Sequence, residues 1–394
     1  MTRALVVVDG EHYAPVVRDA IAALPYTVVA AWLAGGTEKL RGDADYGVPL
    51  VDSFEAAVAD VDVVFDLSDE PVLGPPERFL LASRALAAGA SYEGADFRFE
   101  PPRYGPFPLP SLAVIGTGKR VGKTAVTGHV ARLLAREREV VVVSMGRGGP
   151  PEPEVATLQP TLDSLLERSR AGAHAASDYL ETAAVTGVVT VGCRRAGGGL
   201  AGAVVTSNVE QGAALAAERD PDVVVFDGSG AAIPPVQTHA RMLVSGTGHD
   251  PTGYLNAYRV LVSDLVVLVG GGDAGRIRAL KDLPVLTAEL SLRPVSPLRG
   301  KRVAVFTTGR AATDGLDADV VSVSRNLANR ELLAADIVRT DADVYLVELK
   351  AAAIDVVAEA AAKRGVEVVF AENEVVCSGL DDAVLGLVPA KVPA

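Results

Sequence analysis

Residues 112–124 read Leu-Ala-Val-Ile-Gly-Thr-Gly-Lys-Arg-Val-Gly-Lys-Thr, and few stretches of this length restrict a fold so tightly. A short apolar run enters a glycine-rich loop, the loop ends in Gly122-Lys123-Thr124, and an alanine- and valine-rich stretch with helical spacing follows at once. Strand, loop and helix in that order are the layout of a phosphate-binding P-loop. Backbone N–H groups of such a loop point at a nucleotide's phosphates, a lysine bridges the β and γ positions, and a hydroxyl ligates Mg2+. Here the loop is Gly116, Thr117, Gly118, Lys119, Arg120, Val121, Gly122, Lys123 and Thr124, with Lys123 as the bridging lysine and Thr124 as the metal hydroxyl. Gly116 and Gly122 enclose five residues where the common pattern has about four. The chain is therefore expected to bind ATP or GTP with Mg2+ on a parallel α/β sheet.

Length and charge narrow the rest. With 394 residues the chain can build two or three domains, each with its own core. Only 5% of residues are aromatic, so those cores must be made mainly of valine, alanine and leucine. Thirty-seven basic against fifty acidic residues give a net charge of −13, which argues against non-specific binding to nucleic acid or anionic membrane. No apolar run approaches the length of a membrane span, and the apolar part of the N-terminus is too short for a signal peptide. Cys193 and Cys377 lie far apart without a ligand-like spacing, so neither a disulfide framework nor a zinc site is indicated. A cytoplasmic protein is expected, and enzymes of this class and size commonly pair as homodimers.

The first hundred residues alternate valine-rich runs (Leu5–Val8, Thr27–Leu33, Val61–Leu67) with helical patterns (Pro15–Leu24, Phe54–Val58, Glu77–Ala88). Such alternation predicts a parallel sheet covered on both faces. Pro101, Pro102, Pro106, Pro108 and Pro110 then interrupt it, marking the best boundary in the chain. The expected organisation is an N-terminal α/β domain (1–100), a proline-rich linker (101–110), a P-loop ATP- and substrate-binding domain (111–293) and a C-terminal α/β region (294–394). The fold class is α/β: a P-loop NTPase parallel sheet flanked by a Rossmann-like N-terminal domain and a smaller C-terminal region. Whether the last block is a domain or an extension of the second sheet is left open by the sequence.

Three loops after predicted strands carry chemistry, at the strand ends where open α/β sheets bind ligands. Asp227, in Asp227-Gly228-Ser229-Gly230 after Val223–Phe226, has the position of a second Mg2+ holder opposite Thr124. Met145-Gly146-Arg147-Gly148-Gly149-Pro150-Pro151-Glu152-Pro153-Glu154 offers Arg147 to a phosphate, with Glu152 or Glu154 to complete a metal shell. Gly192-Cys193-Arg194-Arg195-Ala196 with three following glycines reads as a loop that receives a dianion, since arginine pairs bidentately with phosphate. Cys193 beside it reads as a small buried cysteine rather than a nucleophile. His129 and His174 fall within helical patterns and read as structural, whereas His12 and His249 are candidate acid–base or phosphate partners. Arg147, Arg194 and Arg195 exceed what one nucleotide needs, which points to a second, highly anionic small-molecule substrate.

The form Gly-Thr-x-x-x-Val-Gly-Lys-Thr resembles dethiobiotin synthetase and its relatives. Taken in order with the arginine–proline loop, Ser177-Asp178-Tyr179-Leu180-Glu181, Gly192–Arg195 and Asp227–Pro235, it resembles the cyclic 2,3-diphosphoglycerate synthetases over most of the chain. That resemblance implies an ATP-dependent ligase that closes 2,3-diphosphoglycerate into an intramolecular phosphoanhydride, releasing ADP and phosphate. It implies Lys119 and Lys123 on ATP, Thr124 and Asp227 on Mg2+, and Arg147, Arg194 and Arg195 on the diphosphoglycerate. A 2-phosphoglycerate kinase or a carboxylate-activating ligase is the alternative within enzymes. A partitioning or metal-delivery switch is the alternative outside them. It is disfavoured because Gly118 occupies the place of that group's signature lysine, with Lys119 one position later.

Overall fold

A computed structural model of the protein describes residues 2–36, 45–309, 312–313 and 315–391. Its first sheet is built from β1 (Arg3–Val8), β2 (Thr27–Leu33), β3 (Leu50–Val51), β4 (Val63–Asp66), β5 (Ser91–Glu93) and β6 (Arg98–Phe99), in the order β3-β2-β1-β4-β5-β6. All pairs are parallel except β5–β6. The chain winds outward in opposite directions from β1 and β4, a doubly wound order. Leu5, Val6, Val7 and Val64 are fully buried, as expected for a parallel sheet with both faces covered.

The second sheet has 13 strands among the described residues. They are β7 (Ser111–Gly116), β8 (Val140–Gly146), β9 (Glu154–Ala156), β10 (Val189–Ala196), β11 (Thr206–Ser207), β12 (Val223–Asp227), β13 (Ala240–Gly246), β14 (Leu265–Val269), β15 (Val285–Pro294), β16 (Arg302–Phe306), β17 (Asp319–Ser324), β18 (Val344–Glu348) and β19 (Glu367–Val376). Their order is β11-β10-β8-β12-β7-β13-β14-β15-β19-β18-β16-β17, with β9 beside β10. Strands β10, β8, β12, β7, β13 and β14 run parallel, so the loops after β10, β8, β12 and β7 emerge side by side at one end.

The last block extends this sheet, which settles what the sequence left open. Strand β15 is ten residues long. Its first part pairs parallel with β14 (Val285–Ala288) and its second part pairs antiparallel with β19 (Glu289–Pro294). One strand therefore belongs to both halves, and the helix Leu380–Leu387 returns to pack on the helix Lys123–Leu134 that follows the P-loop. His129 Nε2 lies 2.7 Å from Asp381 Oδ1 across that contact.

The proline-rich stretch is docked rather than free. Gly105 N–H donates to Pro235 O (2.9 Å), Gly105 O accepts from Gln237 N–H (2.8 Å), and Phe107 meets Phe226 edge-on with centroids 5.1 Å apart. Two local readings need correction. Gly192–Ala196 is the continuation of strand β10, held by β8 and β11, and not a loop. His174 sits between helices, against Gly148, because the helix Leu162–Arg170 ends before it. In the last block a π-turn segment, Ala353–Ala358, runs into a short α-helix, Glu359–Arg364. Among the described residues no helix is long and apolar enough to cross a membrane.

Candidate active site

The P-loop leaves β7 at Gly116 and enters the helix Lys123–Leu134 through Gly122. Gly122 has φ +88°, a left-handed conformation that a side chain would strain, and a Cβ there would stand 3.0 Å from Val269 Cγ2. Thr117 N–H donates to Val244 O (3.1 Å) and its hydroxyl lies 3.1 Å from Ser245 Oγ, so this residue ties the loop to β13. Val121 is buried in the core and pins the loop from below. Between these anchors, the N–H groups of residues 118–124 find no acceptor among the described residues. That row of free donors at a helix start is an anion receptor. Lys119 and Arg120 are exposed, Arg120 with φ +60°, and His249 stands against Gly118.

Lys123 is nearly buried, with Nζ 2.5 Å from Asp227 Oδ1, which also accepts from Thr127 Oγ1 at 2.8 Å. Asp227 is fully buried, and its other oxygen, Oδ2, has no hydrogen-bond partner. Burial pushes the Asp227 carboxyl above its usual range, against the opposing pull of Lys123 and Thr127. Ser144, in register beside Asp227 on β8, also has a buried hydroxyl without a partner. A buried carboxylate oxygen without a protein partner is the donor chemistry of a hard divalent cation, so Asp227 fits Mg2+, with the Thr124 hydroxyl one residue beyond Lys123 as a second oxygen donor of the right kind. Glu152 is exposed on the turn before β9. Glu154 is engaged elsewhere, its carboxylate accepting from Arg168 at 2.6 and 2.8 Å, which holds it below the usual carboxylate range. Among the described residues no group of three or more His, Cys, Asp or Glu side chains is gathered for a metal.

The arginines divide. A Cβ built on Gly230 would lie 2.9 Å from Arg147 Nη2, 3.7 Å from Arg195 Nη2 and 3.8 Å from Lys119 Cγ. Three cationic side chains thus converge on one glycine, itself at φ +59°, in the loop after β12. Arg195 donates to Gly197 O (2.7 Å) and Ser229 O (2.8 Å), while its buried Nε has no partner. Burial and the neighbouring charge of Arg147 hold the Arg195 guanidinium below its ordinary pKa, as in a cluster short of anions. Arg194 is not part of this group. It is exposed, its backbone N–H donating to Asn208 Oδ1 (2.7 Å), because adjacent residues of strand β10 project to opposite faces.

Asp178, in the Ser177–Glu181 segment, lies close to this cluster: its Oδ2 is 3.4 Å from where a Cβ on Gly146 would sit, and its charge acts on Arg195. Cys193 is buried, and burial pushes its thiol up to about 12. At about pH 8 a thiol reagent should therefore modify the partly exposed Cys377 and leave Cys193 untouched until the protein unfolds. Mass spectrometry of native and denatured samples measures this, and rapid native labelling of Cys193 would contradict the burial.

The other candidates lie elsewhere. His12 is held between Asp9 Oδ1 (3.0 Å) and Asp69 Oδ2 (3.3 Å) on the first sheet, and its bond to Asp9 raises its pKa.

Comparison with known proteins covers nearly the whole chain. Family models for cyclic 2,3-diphosphoglycerate synthetase match at residues 3–100 (N-terminal domain), 111–275 (P-loop domain) and 294–374 (C-terminal domain). A cyclic 2,3-diphosphoglycerate synthetase of Rubrobacter xylanophilus is 50% identical over 98% of this chain and 97% of its own. Those of Thermococcus kodakarensis and Methanothermobacter thermautotrophicus are 40% and 38% identical, covering 94% and 97% of this chain and 94% and 95% of theirs.

Proposed function

This chain belongs to the cyclic 2,3-diphosphoglycerate synthetase family, and on that premise we propose that it cyclises 2,3-diphosphoglycerate with ATP, releasing ADP and inorganic phosphate. The observation that carries this reading is the convergence of Lys119, Arg147 and Arg195 on Gly230, beside a complete P-loop. A triphosphate is already served by the free N–H groups of residues 118–124 and by Lys123. The additional cations suit a second polyanion.

The reaction balances in two transfers. One substrate phosphate attacks the γ-phosphorus of ATP, forming a pyrophosphoryl group and releasing ADP. The other substrate phosphate then attacks the inner phosphorus of that group, a new P–O–P bond closes the ring, and inorganic phosphate leaves. Lys123 and the P-loop N–H groups hold the β- and γ-phosphates in line. Asp227 and Thr124 would hold Mg2+, which would supply neutralisation of phosphate charge when bound. Arg147 and Arg195, with Lys119, offset the repulsion between two phosphates on neighbouring carbons and bring them within reach. Arg194 and Glu152, both exposed, have no part in this reading. No general base is needed, since a phosphate is an anionic nucleophile at neutral pH. A homodimer in the cytoplasm belongs to the same reading.

The test is 31P NMR of the protein with Mg-ATP and 2,3-diphosphoglycerate. Upfield phosphoanhydride signals distinct from ATP and ADP, with free phosphate appearing in equal amount, are expected. ADP formation only with 2-phosphoglycerate would instead make the protein a kinase.

A further inference from the structure

Arg259 is among the largest fully buried side chains of the described residues, 2% exposed, and no carboxylate pairs with it. Burial pushes its guanidinium down to about 10. A cation withdrawn from water without a counter-charge is costly, and its donors must find strong acceptors. Those of Arg259 go chiefly to main-chain carbonyls. Nε and Nη2 donate to Ala231 O at 3.0 and 2.6 Å, and Nη1 donates to Leu200 O (3.0 Å), Leu255 O (3.1 Å) and Asn256 Oδ1 (3.2 Å).

The two outer targets lie on different loops. Ala231 follows Gly230, on which Lys119, Arg147 and Arg195 converge, and Leu200 ends the glycine run after Arg195. Ile233 N–H donating to Gly202 O (2.8 Å) joins the same loops a second time. Around Gly230 the carbonyls are engaged. Ser229 O accepts from Arg195 and from Ala232 N–H, and Gly230 O faces Gly116, 2.9 Å from where a Cβ would sit. The Ser229 and Ala231 carbonyls on either side of Gly230 are thus both held, the first by Arg195 and Ala232 N–H, the second by Arg259.

We propose that Arg259 is a positioning residue: by clamping Ala231 O and Leu200 O it fixes the two loops on which Arg147 and Arg195 converge at Gly230 as one receptor for a phosphate-monoester dianion. This subsite is separate from the P-loop, and its identification with a phosphate of 2,3-diphosphoglycerate rests on the function proposed above. The assignment also gives the N-terminal domain a task. The helix carrying Arg259, Asn256–Leu261, packs on the helix Pro75–Ala87 of the first sheet. Phe79 meets the Tyr254 ring with centroids 5.4 Å apart, and Tyr258 OH lies 2.9 Å from Tyr104 OH.

The test uses full-length Arg259→Lys, Arg259→Gln and Gly230→Ala, with the nucleotide site saturated by a non-hydrolysable ATP analogue. Calorimetry reads the affinity for 2,3-diphosphoglycerate and for inorganic pyrophosphate, and a separate titration reads the ATP analogue. Both Arg259 variants should keep the wild-type affinity for the analogue while losing roughly tenfold or more for 2,3-diphosphoglycerate, with KM rising and kcat falling. Lysine should rescue little, since one ammonium cannot span both carbonyls. Equal loss of both ligands would reduce Arg259 to a purely structural role, and unchanged diphosphoglycerate affinity would also overturn the proposal. If neither Arg259 variant folds, Gly230→Ala decides, because its Cβ fills the receptor 2.9 Å from Arg147 Nη2 and leaves Arg259 in place. It should lose diphosphoglycerate and keep the analogue; the reverse, or no change, refutes the receptor. A wild type that binds pyrophosphate but not 2,3-diphosphoglycerate, with the variants losing pyrophosphate, would uphold the receptor and reject the proposed substrate.

Discussion

Lys123→Met should lower kcat by about a thousandfold or more, with product formation followed by 31P NMR. Methionine nearly fills the volume of the lysine stem, so the change removes a charge more than it opens a cavity. What is lost is the P-loop ammonium proposed to hold the phosphates, whose Nζ also neutralises Asp227 from 2.5 Å. The second loss has its own signature. The Asp227 carboxyl titrates above its unfolded value of 3.8 because it is buried. A group with a raised folded pKa contributes stability that is complete below the unfolded pKa and is lost as pH rises through the folded one. Removing Lys123 takes away the main pull in the other direction and moves that window upward. Without nucleotide or magnesium, the Tm deficit of the variant should widen as pH rises from the acid range, where the carboxyl is protonated in both states, toward neutrality. A deficit that narrows over that range, or turnover within tenfold of wild type, would show that Lys123 does neither job.

Asp227→Asn should cost about a hundredfold to ten-thousandfold in kcat and weaken divalent-ion binding, read with Mn2+ by electron paramagnetic resonance. Asparagine can still accept from Thr127, so the loop keeps its shape. The buried Oδ2, which has no protein partner, becomes part of a neutral amide. Lys123 is left facing a dipole in place of an anion. The reaction should then require far more Mg2+, and wild-type Mn2+ affinity in this variant would remove Asp227 from the metal site.

The two variants probe a nucleotide site that was written almost entirely in consecutive residues. Gly122 was placed because the turn into the helix needs a left-handed residue, and Lys123 and Thr124 follow it directly. The arginine loops were also visible, but a loop reading of Gly192–Ala196 set Arg194 and Arg195 side by side. In strand β10 they face opposite ways, and only Arg195 reaches Gly230. Strand and loop differ there by hydrogen bonds to β8 and β11, partners that a local pattern does not contain. Arg259 was invisible for a similar reason. It looks like any arginine on a short helix, and its meaning lies in two carbonyls, Leu200 and Ala231, brought to it by the fold.

The sequence by itself determined the parallel α/β class, the P-loop with its lysine and hydroxyl, the acidic strand end at Asp227 and the family. Each is carried by short-range chemistry, by apolar runs or by residues that act on one ligand while adjacent in the chain. Only the tertiary structure decided that β15 and β19 fuse the last block to the P-loop sheet. It alone gathered Lys119, Arg147 and Arg195 on Gly230, left Arg194 and Glu152 exposed, and buried Arg259 beneath the loops. The physical reason is strand order. With β10, β8, β12 and β7 as parallel neighbours about 4.8 Å apart, four loops distant in sequence share one end of the sheet, and that adjacency is set by pairing between segments far apart in the chain.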